Sequence, residues 1–327
     1  MVERLKVLNL SGCIGLTKTP DFSTFTALEI LNLGNCENLV EFHPSVWKLK
    51  NLRVLDISGD FNTPAVGAIT KFPDEIGNLE KLGEINASFS SALHGEIPSS
   101  IGRLSSLRIL RLRCTNIYSL PTSICGLSCL EALDLLFCHK LQSLPDELPS
   151  SLTSLSVTCQ SMETFPSRLS NLINLKYLAF SYCENLVEIT RDIGKLSQLE
   201  TLIFLSCNKL RILPTEIGAI SRLKKLVLLV CGNLQCILAL PPSLFRIYVE
   251  YRESLERLPD LSNLKKLQSI RIVNCKKLTE IQGLGKSELL TRQNIRDCES
   301  LETITKSIKL GRAKRFKAFW MPEVDRD

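Results

Sequence analysis

Three histidines and 13 cysteines are the side chains of this 327-residue chain best suited to making or breaking bonds. A nucleophilic site would need a histidine beside a serine or cysteine and an orienting carboxylate. His43, His94 and His139 are scattered, and none stands in an H-E-x-x-H or G-x-S-x-G setting. A structural zinc site would need two matched cysteine doublets, yet the close pairs Cys125/Cys129 and Cys231/Cys236 do not supply that spacing. The segment GLGKS, from Gly283 to Ser287, resembles part of a phosphate loop, but Glu280 stands where a second glycine should. The chain therefore reads as a non-enzyme with no metal and no cofactor.

The cysteines have a different logic. Eight of the 13 close a nine-residue phrase, as in LKVLNLSGC (Leu5 to Cys13), LEILNLGNC (Leu28 to Cys36) and LETLIFLSC (Leu199 to Cys207). The leucines that open the phrase are Leu5, Leu28, Leu52, Leu82, Leu107, Leu130, Leu152, Leu175, Leu199, Leu223, Leu244, Leu267 and Leu290. Successive openings lie 21 to 25 residues apart, except for one interval of 30 after Leu52. That is the period of a leucine-rich repeat, and it leaves no room for a catalytic domain.

Within the phrase, places 1, 4 and 6 are apolar, the alternation of a short strand with one buried face. Places 2, 3, 5, 7 and 8 then face outward. The second half of each unit, such as NKLRILPTEIGAISRL (Asn208 to Leu223), returns Leu210, Leu213, Ile217 and Ile220 to the interior, with Pro214 opening a helical or 3₁₀ turn. Parallel stacking of such units predicts an α/β solenoid, a right-handed leucine-rich-repeat horseshoe with its parallel sheet on the concave side and short helical, 3₁₀ or loop segments on the convex side. Residues 1–308 form about 13 repeats, followed by a basic tail at 309–327 that contains KLGRAKRFKAFW. Place 9, where the strand ends, needs a small buried residue with a weak donor, and cysteine suits it. Cys183, Cys207 and Cys231 should form a ladder.

The units LNLSGCIGLTKTPDFS, LNLGNCENLVEFHPSV and LAFSYCENLVEITRDIG resemble the leucine-rich repeats of plant intracellular immune receptors, especially the TIR-type nucleotide-binding class. One unit, LHGEIPSSIGRLSSL (Leu93 to Leu107), departs toward the G-x-I-P pattern of plant receptor ectodomains. The resemblance implies a sensor and autoinhibitory domain that binds a pathogen effector or a guarded host protein. It also implies an upstream nucleotide-binding domain, which would cover the bare first rung, and a cytoplasmic location. Nuclear targeting through the basic tail is a weaker alternative. A constitutive signalling scaffold and a secreted ectodomain are the rival readings.

Surface composition locates the expected contact. Residues 1–200 carry 17 Lys and Arg against 21 Asp and Glu, whereas 201–327 carry 23 against 13, so the second half is the basic one. Without interleaved aromatics or a recognised module, that charge points to a protein partner and not to nucleic acid. No apolar run is long enough for a membrane span, and none is expected. Place 5 runs Asn9, Asn32, Asp56, Asn86, Arg111, Asp134 and Ser156, then turns apolar at Ala179, Ile203 and Val227 before Tyr248. With Leu205 and Leu229 at place 7 and Val230 and Tyr251 at place 8, this predicts an apolar protein-binding patch on the concave face. Cross-strand packing is the competing explanation. Arg108, Arg111 and Arg113 form a separate spot suited to a carboxylate.

Overall fold

The computed structural model describes residues 2–60, 69–164, 168–301 and 303–304. Most of the insertion GDFNTPAVGAITKF, and the whole of the tail at 309–327, lie outside the described residues. Thirteen short strands form one parallel sheet in which spatial order follows chain order. They are β1 (Val7–Asn9), β2 (Ile30–Asn32), β3 (Val54–Asp56), β4 (Glu84–Asn86), β5 (Ile109–Arg111), β6 (Ala132–Leu135) and β7 (Ser154–Val157), then β8 (Tyr177–Ser181), β9 (Thr201–Leu205), β10 (Lys225–Leu229), β11 (Arg246–Glu250), β12 (Ser269–Val273) and β13 (Arg292–Arg296).

Every place-5 residue pairs with the place-5 residue of the next rung, from Asn9 opposite Asn32 through Ile203 opposite Val227 to Arg271 opposite Asn294. This register places all the leucines of places 1, 4 and 6 on one side. There they build a continuous core from Phe22 to Leu284, with Leu31, Leu55, Leu155, Leu178, Leu202 and Leu226 wholly enclosed. The convex side is made of 3₁₀ turns, among them Pro44–Lys48, Ser99–Arg103, Thr122–Gly126 and Thr215–Ala219. Pro214, with φ −64°, opens the last of these as its place in the sequence suggested. No α-helix occurs among the described residues. Turns take more room than strands about 4.8 Å apart, and the stack curves into a horseshoe with the sheet on its concave side.

The phrase ends through a left-handed residue. Place 8 carries φ between 53° and 63° at Asn35, Phe89, Cys114, Phe137, Tyr182, Ser206, Val230, Tyr251, Asn274 and Asp297, and Gly12 at the same place has φ 75°. In this conformation the place-8 N–H still reaches the place-7 carbonyl of the next rung, as in Tyr182 to Leu205 at 2.7 Å and Val230 to Glu250 at 3.0 Å. The turn then delivers place 9 inward. Its side chain donates to the place-6 carbonyl of the rung before: Cys36 to Leu10 at 3.1 Å, Ser90 to Ile57 at 2.7 Å, Cys138 to Leu112 at 3.0 Å, and Cys207 to Phe180 at 3.7 Å. Burial pushes the Cys36 thiol up, and Cys138 up to about 11, so that both stay protonated as donors.

Two departures from the expected ladder stand out. Cys13, in the first rung, is exposed. The phrase of the seventh unit is one residue short, so Cys159 arrives a place early and fills the buried position beside Cys183, pushed up by burial to about 11. Thr158 adjusts the seam by accepting the Phe137 N–H on its hydroxyl at 2.9 Å.

Candidate protein-recognition surface

Strand length explains why place 5 changes character along the sheet. Strands β1 to β4 are three residues long, and their place-7 N–H groups need another acceptor. Asn9, Asn32, Asp56 and Asn86 supply it, each accepting from the N–H two residues ahead at 2.9, 2.8, 2.9 and 3.2 Å. From β8 onward the strands are five residues long, and the sheet ladder itself extends to place 7. Place 5 is then free to be apolar.

The predicted patch residues do come together, but three of them are not exposed. Ala179, Ile203 and Val227 form a second apolar cluster on the concave face, flanked by Tyr177, Leu229 and Tyr248. In-register neighbours cover one another, leaving Ile203 and Leu205 at 7% exposed and Val227 at 5%. The expectation of an open patch at these three positions is therefore corrected, because parallel packing closes it from within the sheet. Leu229, Val230 and Tyr248 remain partly open, and Tyr251 is 43% exposed.

The arginine spot is also engaged within the chain. Arg111 pairs with Glu84, and Arg108 binds Glu131 at 2.7 Å. The Arg113 guanidinium sits between two rings, 6.0 Å from the Phe89 centroid and 5.1 Å from that of Phe137. Asp134 lies close by; burial raises its pKa, while the Leu136 N–H, Arg113 and Arg111 oppose that rise. The expected free carboxylate receptor is thus an internal charge network.

Sequence reasoning put Val230 and Tyr251 at place 8 but missed that Phe89 and Phe137 extend this place into a rim. Phe137 and Tyr182 meet at 5.5 Å between centroids, and His139 lies 5.9 Å from Tyr182. One rung, the seventh, separates their units, and its shortened phrase, which brings no bulky place-8 side chain between them, lets the rings touch. Phe89, Phe137, Tyr182 and Val230 are half-buried, and His139 is exposed. A bulky residue in left-handed backbone costs roughly 1–2 kcal/mol, whereas glycine or asparagine would fit with less strain. The signal was readable as place-8 aromatics in the sequence, but its meaning depended on the backbone angle.

Asp21, His43 and Ser45 are brought together, which the sequence did not foretell. Their geometry is not that of a relay. Ser45 Oγ at 2.8 Å and Asp21 at 3.7 Å both approach the same ring nitrogen, Nδ1, whereas a triad uses opposite nitrogens. Ser45 is buried and its Oγ accepts the Phe22 N–H at 2.7 Å, while His43 caps the turn at Pro44–Lys48. Gly283, with φ 74°, opens an ordinary 3₁₀ turn at Leu284–Lys286. Among the described residues no group of three His, Cys, Asp or Glu is arranged to hold a metal. No helix there is long and apolar enough to cross a membrane.

No family model matches the chain. It is 30% identical over 241 residues to TMV resistance protein N of Nicotiana glutinosa, covering 59% of this chain and 21% of that protein. It is 31% identical over 208 residues to Protein SUPPRESSOR OF npr1-1, CONSTITUTIVE 1 of Arabidopsis thaliana, covering 59% of this chain and 14% of that one. The chain thus spans about a fifth or less of the length of these relatives. Among solved structures, the functional domain of InlJ from Listeria monocytogenes, described as including a cysteine ladder, superposes with a TM-score of 0.57 at 20% identity, over 88% of this chain and 64% of that one. That likeness shows the leucine-rich-repeat fold.

Proposed function

We propose that this leucine-rich-repeat chain, whose homologues are plant disease resistance proteins of the TIR-type nucleotide-binding class, is the sensor segment of an intracellular immune receptor. Its ligand is a pathogen effector or a guarded host protein, received against the concave sheet and anchored along the place-8 rim. The observation that carries this reading is the run of bulky side chains, Phe137, Tyr182, Val230 and Tyr251, kept in left-handed backbone at φ 60°, 54°, 53° and 55°. Strain of that kind persists where something else depends on it. Aromatic anchors commonly dominate interface energy, at 2 kcal/mol or more each. In the same reading an upstream nucleotide-binding domain contacts the repeats and is held inactive by them, in the cytoplasm.

The test is a full-length receptor gene carrying Tyr182→Ala and Tyr251→Ala, expressed in leaf tissue against a panel of effectors from an adapted pathogen. The parent is expected to trigger cell death with at least one effector, and the double variant, at equal protein level, to lose that response. A variant that answers the same effector as strongly as the parent rules out the rim. Val227→Asp is the wrong probe, because burying a carboxylate there would disturb the sheet before any ligand was met.

A further inference from the structure

Between Cys183 and Cys298 the run of place-9 cysteines is broken once, at Arg252, which stands between Cys231 and Cys275. Its side chain is 0% exposed, and all three guanidinium nitrogens lack a hydrogen-bond partner. Burial pulls its pKa down to about 9, which still leaves it charged at neutral pH. A buried, unpartnered cation is costly, and in this position it replaces a thiol that would have donated to the preceding rung. The thiols on the adjoining rungs are those of Cys231 and Cys275. Cys275 is enclosed, and on the next rung stands Cys298, the last thiol of the ladder, which is only half-buried.

We propose that Cys298 and Cys275 form a peroxide-sensitive thiol pair, in which Arg252 stabilises one negative charge shared by the two sulfurs, Cys298 meets the oxidant and Cys275 resolves it. The Cys298 thiolate attacks a hydroperoxide; the O–O bond breaks, an S–O bond forms, and hydroxide leaves to take up a proton as water. The Cys275 thiol then attacks the sulfenic sulfur, forming an S–S bond, and its proton departs with the hydroxyl as a second water. The pair has lost two electrons and the peroxide has gained them. Geometry permits the bridge, since the two cysteines lie two residues past the paired Val273 and Arg296. Neighbouring rungs about 4.8 Å apart fall within the separation of about 4.4–6.8 Å that a disulfide spans.

The titration of the pair agrees. The neighbouring Cys275 thiol pulls Cys298 down to about 7, and the Cys298 thiol, together with burial, holds Cys275 far up. Asp297 and Arg296 flank Cys298 on its own rung, 3.7 Å apart, and Arg252 lies behind Cys275. Cys183 and Cys207 stand on adjoining rungs in the same way, but both are enclosed, so oxidant does not reach them.

Purified reduced protein would be treated with hydrogen peroxide, quenched with a maleimide, and mapped by mass spectrometry, with the exposed Cys125 and Cys129 as internal references. Cys298 is expected to react at least about tenfold faster than either at pH 7 and to yield a Cys275–Cys298 crosslink, with a rate that rises from pH 6 to pH 8. Arg252→Leu should slow Cys298 about tenfold and leave the references unchanged. Cys275→Ser should trap the sulfenic acid, visible by dimedone labelling. Equal rates at Cys298, Cys125 and Cys129 in the parent overturn the proposal whatever the variants do, as does a crosslink rate indifferent to Arg252 in a folded variant.

Discussion

At the scale of single residues, a cysteine at the end of each phrase is a donor before it is a sulfur. Cys207 gives its S–H to Phe180 O, and Leu205 O lies equally near, both at 3.7 Å. Cys207→Asp would put a carboxylate against those carbonyls with no solvent to screen it, at a cost of about 3–5 kcal/mol. Cys207→Ser keeps a donor and is expected to lose far less. Thermal melts of the two variants should separate widely, and an Asp variant that melts with the parent would show that the corner is wet. The ladder was legible in the sequence because cysteine recurs at a fixed place. Cys159 and Arg252 were not, since one depends on a one-residue deletion and the other on a side chain that breaks the pattern without moving the backbone. Ile203 and Val227 were placed on the correct face but given the wrong exposure, because outward-facing in a strand does not say how closely the next strand's side chain lies.

At the scale of elements, the convex turns stack as tightly as the strands. A Cβ on Gly102 would lie 2.5 Å from Ser123 O of the next turn, and one on Gly77 would lie 2.7 Å from Ser100 O. Gly126 occupies the corresponding place in Thr122–Gly126, yet its nearest neighbour, Gly102 O, is 3.7 Å away. Gly102→Ala is therefore expected to destabilise by about 1–3 kcal/mol. Gly126→Ala should be neutral or gain up to about 1 kcal/mol from a less flexible unfolded chain. Urea midpoints of the two variants test this, and similar losses at both sites would mean that intrinsic turn preference outweighs stacking. The existence of these turns was readable from the L-P-x-x-I-x-x-L spacing. Which glycine is squeezed was not, because it is set by the neighbouring unit.

At the scale of the whole molecule, each rung is held only by its two neighbours, so stability varies along the stack. In β1 the side chains are less enclosed than in any middle strand, with Val7 53% exposed and Leu8 only partly buried. Leu202 and Phe204 in β9 are wholly enclosed. Amide exchange in this isolated chain is expected to be at least about a hundredfold faster at Leu10 than at Phe204, equivalent to roughly 2.7 kcal/mol of local opening. Uniform protection would mean that the stack opens only as one unit. Cross-rung ion pairs repeat the same arithmetic on the surface, as in Lys6 to Glu29 at 2.7 Å and Lys224 to Glu200 at 2.8 Å. Being exposed, they contribute little to stability.

The uniform seam between rungs has a genetic consequence. Because every place-5 residue pairs in register with the next, the join between two units is nearly the same wherever it is cut. Unequal crossing-over that gains or loses one whole unit would leave the core continuous, with each severed edge meeting an equivalent edge. What changes is the order of rings along place 8: losing the seventh unit would set Phe137 and Tyr182 on adjoining rungs, and doubling it would part them. Recombination can thus redraw the outline that a ligand meets while the protein goes on folding, so that the gene stores variety in the sequence of its units as well as in the residues within them.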